Sequence, residues 1–260
     1  MKKSINFFIL PLIIQVAFAE MDWENMVLRG SHAEQEKAAD LLQEELYSLQ
    51  YDVNMTVGDF LKLNSDRENR LKELLLTYRS LSRRYLTDGR IEYVYHVPLA
   101  GKIIAALLPE TKPFKLTVPM LCPCCGQEWP HGKAIPEDIK LIPKQIDSTV
   151  YTGIIIECRG LELNPCIFPK VVSEIVEEVY SIDFADPQYV IDGGLVFYTT
   201  KDVHDNPRVG ENPLRIQALG TVGEWFTDIK ISPFDAQRIH GSMNNINLLK
   251  ECRVAVIFGR

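Results

Sequence analysis

The stretch Asp88-Gly89-Arg90-Ile91-Glu92-Tyr93-Val94-Tyr95-His96-Val97 decides how the first half of the chain is built. Asp-Gly is a two-residue turn signal, and Ile91, Tyr93, Tyr95 and Val97 follow at strict alternate positions, the period of a half-buried strand. With Tyr78 to Leu86 leading into the turn, the reading is an antiparallel hairpin. Upstream, Ala38, Leu41, Leu42, Leu46 and Leu49 recur at three- and four-residue steps and predict a helix, and Leu71, Leu74 and Leu75 predict another. Ser31 with Glu34, and Ser65 with Glu68, have the spacing of capping boxes that would open these helices. Between them Val53, Met55 and Val57 alternate, which predicts a short strand over 51–57. Downstream, Leu99 to Leu108 is apolar enough for a short buried helix before Pro109.

Seven of the fifteen prolines lie between Pro109 and Pro143, a density that removes backbone donors and blocks helix. Half of the six cysteines fall in the same region, read as a connector or irregular knob over 111–149. From Tyr151 the pattern becomes largely β. Candidate strands are 153–158, 194–198, 214–219, 226–231 and 253–258, with turns at Asp192-Gly193-Gly194, Asn206-Pro207, Glu211-Asn212-Pro213 and 220–223. Ser232-Pro233-Phe234-Asp235 has the signature of a helix start with Pro at its first position, ending near Gly241. The expected fold class is therefore α+β: a small N-terminal α+β module over 20–110, the Pro/Cys-rich connector, and a β-rich module over 150–260.

The first nineteen residues read as an export signal. Lys2 and Lys3 precede an apolar run from Phe7 to Phe18, and Ala17-Phe18-Ala19 offers small residues at both positions a signal peptidase needs, so cleavage is expected after Ala19. The run falls short of the ~20 residues that a membrane-spanning helix requires, and no later run approaches that length. With the two lysines gone, 26 basic residues face 35 acidic ones, moving the formal charge from −7 to −9. That balance argues against nucleic acid as a partner. The expected location is the bacterial periplasm or the medium, or the periphery of the outer membrane, where thiols can oxidise. Asn54-Met55-Thr56 matches a glycosylation triplet but is read as incidental.

Over residues 30–108 the order is a helix, Thr56-Val57-Gly58-Asp59, a helix, Arg83-Arg84-Tyr85-Leu86, Asp88-Gly89, and Tyr93 to Leu99. This order resembles the small bacterial outer-membrane lipoprotein family that includes the flagellar basal-disk lipoprotein and the N-terminal domain of the flagellar T-ring protein. The resemblance implies an α+β module with a structural or assembly role at the outer membrane and no active site. The chain departs from that family in lacking a lipidation Cys and in carrying the Pro-rich and β-rich regions. Its second half looks like the tail of uncharacterised exported bacterial proteins.

The chemically unusual segment is Cys122-Pro123-Cys124-Cys125-Gly126-Gln127-Glu128-Trp129-Pro130-His131. A Cys-x-x-Cys-Gly turn is how zinc knuckles begin, and Cys122, Cys124, Cys125 and His131 would make a tetrahedral set for zinc. Cys-x-x-Cys is also the spacing of thiol oxidoreductases, and six cysteines in an exported chain allow three disulfides in 15 connectivities. Cys158 and Cys252 share a polar-Cys-polar pattern that points both sulfurs inward, so the two could bond if their strands are neighbours, or stay as buried thiols. His96 reads as a half-exposed strand residue and His204 as part of a turn with Asp202 and Asp205. Glu177-Glu178 falls in a stretch, 173–180, read as solvated. The sequence has no nucleophile elbow, phosphate-binding loop or His-Glu-x-x-His, so no catalytic residue is assigned. The expectation is a non-enzymatic envelope protein that binds a partner or self-assembles, with a metal-binding or thiol-redox role for the cysteine cluster as the alternative.

Overall fold

A computed structural model describes residues 18–110, 120–130, 133–144, 149–174, 178–204 and 206–259. Most of the expected export signal, His131 and Glu177 lie outside these residues. The fold is mixed α+β. Its first half runs β1 (Phe18–Asp22), β2 (Val27–His32), α1 (Gln35–Ser48), α2 (Val57–Lys62), α3 (Ser65–Thr77), β3 (Ser80–Tyr85), β4 (Ile91–Pro98) and α4 (Lys102–Leu107). The strands form one antiparallel sheet in the order β1-β2-β4-β3. The β3–β4 hairpin turns at Asp88-Gly89, where Gly89 has φ +84°. The expected cut after Ala19 falls within β1, leaving Glu20–Asp22 paired with Val27–Arg29.

The expected capping boxes are replaced by a different one. Ser31 is buried inside β2, where its hydroxyl donates to Glu92 Oε1 at 2.5 Å, and α1 begins at Gln35 without a side-chain cap. Ser65 is the first residue of α3 after Asn64, and Glu68 instead meets Lys72 at 2.7 Å. The reciprocal box is Thr56 with Asp59, which opens α2. The strand expected over 51–57 is accordingly a tight return, with Tyr51 N–H donating to Met55 O and Val57 already helical.

α1 lies close on the sheet because β2 offers a glycine there. A Cβ built at Gly30 would stand 2.8 Å from Ala38 O and 2.9 Å from Leu42 Cγ, so no side chain fits between helix and strand. The face it closes holds Leu28, Ala38, Leu42, Leu46, Tyr95 and Val97, all buried.

The connector contributes β5 (Met120–Leu121) and β6 (Ile142–Pro143), a two-stranded antiparallel ribbon. The second half follows with β7 (Ile154–Glu157), β8 (Val171–Val172), α5 (Pro187–Gly193), β9 (Phe197–Thr199), β10 (Leu214–Gln217), β11 (Gly220–Val222), β12 (Asp228–Lys230), α6 (Pro233–His240), α7 (Met243–Lys250) and β13 (Val254–Ile257). Four strands form an all-parallel sheet in the order β10-β7-β13-β9, and β11-β12-β8 form a smaller one. Ile154, Ile155, Ile156 and all of β13 are buried, the continuous apolar reading of strands covered on both faces. α6 starts as expected, with Ser232 capping Asp235 N–H and Pro233 in its first turn. Two readings are corrected. Asp192-Gly193 closes α5, with Gly194 at φ +76° as its cap, where a turn was expected. The stretch 173–180 is not solvated at its end, because Val179 and Tyr180 are buried in the core.

One continuous buried cluster spans both halves. Tyr51 joins them: its ring stacks on Phe60 at 4.3 Å and meets Phe168 edge-on at 5.0 Å, and its hydroxyl donates to Leu107 O at 3.0 Å. Phe168 N–H donates to Tyr51 O, and Ile167 N–H to Gln50 O. Gly30→Ala should destabilise the protein by about 1–3 kcal/mol through overpacking against α1. A urea midpoint equal to that of the unsubstituted chain would show that helix and strand have room to part.

Candidate functional site

The Pro-rich region folds its three clustered cysteines onto one turn. Gly126 N–H donates to Cys122 O and Cys122 N–H to Gln127 O, both at 2.8 Å, closing the turn between Leu121 and Glu128, which bridge each other. Hydrogen bonding from the backbone of Cys125 and then of Cys124, with their thiols adding to it, holds the Cys122 thiol below its usual range. Cys124 and Cys125 are exposed and Cys122 is partly so. Lys144 beyond β6 reaches Glu128 Oε1 at 2.6 Å, tying the ribbon to the returning arm of the turn. Among the described residues no group of three His, Cys, Asp or Glu is placed to hold a metal ion.

The pair Cys158 and Cys252 is not brought together. β7 and β13 are neighbours, as the pairing required, but they run parallel with Ile154 opposite Val254 and Glu157 opposite Ile257. Cys158 therefore follows the end of one strand while Cys252 precedes the start of the other. Six residues of register separate them, about 20 Å at the rise of a parallel strand and far beyond the reach of a disulfide. Both are buried free thiols, as is Cys166. Burial pushes the Cys158 thiol up to about 12 and that of Cys252 up to about 11.

Two polar clusters inside the second half were not visible in the sequence. In the first, the Arg208 guanidinium is largely buried and donates to the backbone oxygens of Gly193, Gly194 and Cys252. It pins the loop before β10 to the end of α5 and the approach to β13. It also forms one wall of a cavity of about 280 Å³ shared with Tyr189, Asp192, Glu251 and Arg253. Nothing in the local pattern around Asn206-Pro207 marks that role, since the acceptors are 14 to 44 residues away. In the second cluster, Asp228 is 5 % exposed and accepts Lys170 N–H at 3.0 Å, beside the buried Cys166 and Tyr198, whose hydroxyl lies 3.3 Å from Cys166 N. Burial pushes the Asp228 carboxyl up to about 6; Lys170 opposes the shift, and Asp52 and Glu178 add to it.

A second cavity, of about 340 Å³, opens on the outer face of the antiparallel sheet between Arg29, Ser82, Arg84 and His96. His96 is a half-buried strand residue, as expected, and its Nε2 lies 3.3 Å from Ser82 Oγ. His204 sits in a loop at 3.1 Å from Asp202.

Residues 153–260, the parallel sheet with its crossovers, match the family model described as Treponema pallidum Tp0624, second domain. No curated protein matches the chain.

Asp228 holds its proton more tightly folded than unfolded. Its contribution to stability is therefore full below about pH 4 and lost as pH rises through 6. Asp228→Asn keeps an acceptor for Lys170 N–H and removes the titration. Relative to the unsubstituted chain it should gain on the order of 2 kcal/mol between about pH 4 and pH 7. Urea denaturation at both pH values checks this, and an equal difference at the two would exclude Asp228 as the titrating group.

Proposed function

We propose that this is an exported, non-enzymatic protein of the bacterial cell envelope that works by binding, adding an extended acidic segment of another envelope protein to the β3 edge of its antiparallel sheet. The observation that carries this reading is β3. It is paired on one side only, by β4, and all six of its residues are exposed. A free edge presents unpaired backbone donors and acceptors, the template for strand addition.

The side chains around that edge support an apolar and basic docking strip. Tyr85 is 73 % exposed, and Tyr78, Leu81 and Ile91 are also exposed. Arg79 and Arg83 lay their guanidinium groups over the rings of Tyr95 and Tyr93, at 4.6 and 5.9 Å, while Arg84 and Arg90 pair with Glu92 and Asp88. In a chain with a formal charge of −7, the four arginines of this hairpin outnumber Glu92 and Asp88 by two, a local positive excess that complements an acidic partner. The export signal and the resemblance of residues 30–108 to envelope lipoproteins support the location. No helix among the described residues is long and apolar enough to cross a membrane.

A photoreactive residue placed at Leu81 or Tyr85 should form one discrete adduct in the envelope, and the same residue at Leu219 should not. Arg83→Glu should lower the yield about tenfold by setting like charges against each other. Equal labelling at all three positions, or an adduct indifferent to Arg83→Glu, would overturn the reading, and an adduct of twice the chain mass would identify the partner as a second copy.

A further inference from the structure

We infer that the cavity beside Arg208, between α5 and the start of β13, binds a small zwitterion with a free carboxylate and a free ammonium, the chemistry of an α-amino acid. It shares no residue with the sheet edge that carries the proposed function. The observation that points to a ligand is Arg253, which lines the cavity with its Nε buried and without a hydrogen-bond partner among the described residues. A guanidinium N–H taken out of water normally finds an acceptor, so this one carries a cost that a bound oxyanion would remove. An opposite charge stands close in the chain. Glu251 lines the same cavity, yet neither it nor Arg253 enters an ion pair among the described residues. Cys252 between them has φ +54°, in the left-handed region that a Cβ disfavours. A strained residue thus carries on either side two opposite charges that line one cavity without joining, a gap that a molecule bearing both signs can bridge.

The walls are built before any ligand arrives. Arg208 gives three of its N–H groups to the backbone oxygens of Gly193, Gly194 and Cys252, which locks the end of α5 to the residue between Glu251 and Arg253. Asp186 N–H donates to Lys250 O at 2.9 Å and holds the start of α5 to the end of α7. A Cβ at Gly193 would stand 2.6 Å from Arg208 Nη1, so the guanidinium occupies room that only glycine leaves. With Arg208 committed to the backbone, Arg253 is the cation whose donors are open, and its planar fork suits a carboxylate held by two hydrogen bonds. Asp192 and Glu251 face Arg208 and Arg253, two charges of each sign. A zwitterion leaves neither sign in excess, whereas a plain anion or cation would. The volume of about 280 Å³ lies at the small end of ligand cavities, about 300–1,000 Å³, and the exposed ring of Tyr189 gives the ligand side chain an apolar wall.

The test is isothermal titration calorimetry of the full chain with each of the protein amino acids in turn. At least one should bind with a dissociation constant below about 1 mM. Its methyl ester, which lacks the carboxylate, and its N-acetyl form, which lacks the ammonium, should each bind more than about tenfold more weakly. Arg253→Gln should bring the amino acid down to the level of its methyl ester, and Glu251→Gln should bring it down to the level of its N-acetyl form. Circular dichroism equal to that of the unsubstituted chain shows that each variant folds. Glu251→Gln changes a half-exposed residue and keeps the test decisive should Arg253→Gln unfold. The proposal is overturned if no amino acid binds, if the ester or the N-acetyl form binds as well as the parent, or if Glu251→Gln leaves the preference against the N-acetyl form intact. Binding of inorganic phosphate in place of every amino acid would also overturn it, since that marks a plain anion site.

Discussion

The ring of Tyr51 stands where the two halves of the chain share a core, between Phe60 of the first half and Phe168 of the second. Its hydroxyl satisfies the carbonyl of Leu107 near the end of α4, and its own carbonyl receives Phe168 N–H. One residue thereby fixes the return after α1, the end of α4 and the segment leading into β8. A buried Tyr does this better than Phe because the hydroxyl end must reach a partner while the ring fills space. The rest of the interface follows the same axis: Gly101 N–H donates to Ile191 O, Trp23 meets Tyr198 edge-on at 5.5 Å, and Lys201 pairs with Glu24 at 3.0 Å.

How much of this was legible depends on how far apart the interacting residues lie. The β3–β4 hairpin could be read because its turn and alternation are contained in about twenty residues. The helices α1 and α3 could be read from their leucines, but their caps could not. Ser-x-x-Glu spacing says nothing of whether the serine is free, and Ser31 is committed to Glu92, 61 residues on. Val57 was read as strand because alternation over a few residues cannot be told from the first turn of a six-residue helix. α7 gave little signal because Asn244, Asn245 and Asn247 interrupt its apolar face, although Ser242 caps it.

The same distinction runs through the chemistry. The cysteine turn was legible because a Cys-x-x-Cys-Gly turn is local, and the structure adds the two backbone bonds that close it. Cys158 and Cys252 are buried, as their pattern implies, but each lies just outside its strand, Cys158 after β7 and Cys252 before β13, and the parallel sense of those strands is set by crossovers of dozens of residues. Arg208 could not have been found, since its role depends on three carbonyls gathered from α5 and from the turn before β13. Glu178 shows the reverse error: it looked solvated in a run of acidic residues, but it receives Lys170 at 2.6 Å and the hydroxyl of Ser181 beside the buried Tyr180.

The order β10-β7-β13-β9 has a consequence for how the protein acquires its shape. β13 is the latest of the four in chain order, yet it lies between β7 and β9, the two earliest. Until it arrives, β7 and β9 have no contact through the sheet, and the isoleucines of β7 have one flank open. The centre of the second half is therefore completed last, by pairings 100 residues apart with β7 and 58 apart with β9, a topology that folds slowly and exposes strand edges while it waits. While the chain is still emerging N-terminus first, β7 and β9 each keep an open flank, and that flank closes only when the last strand arrives.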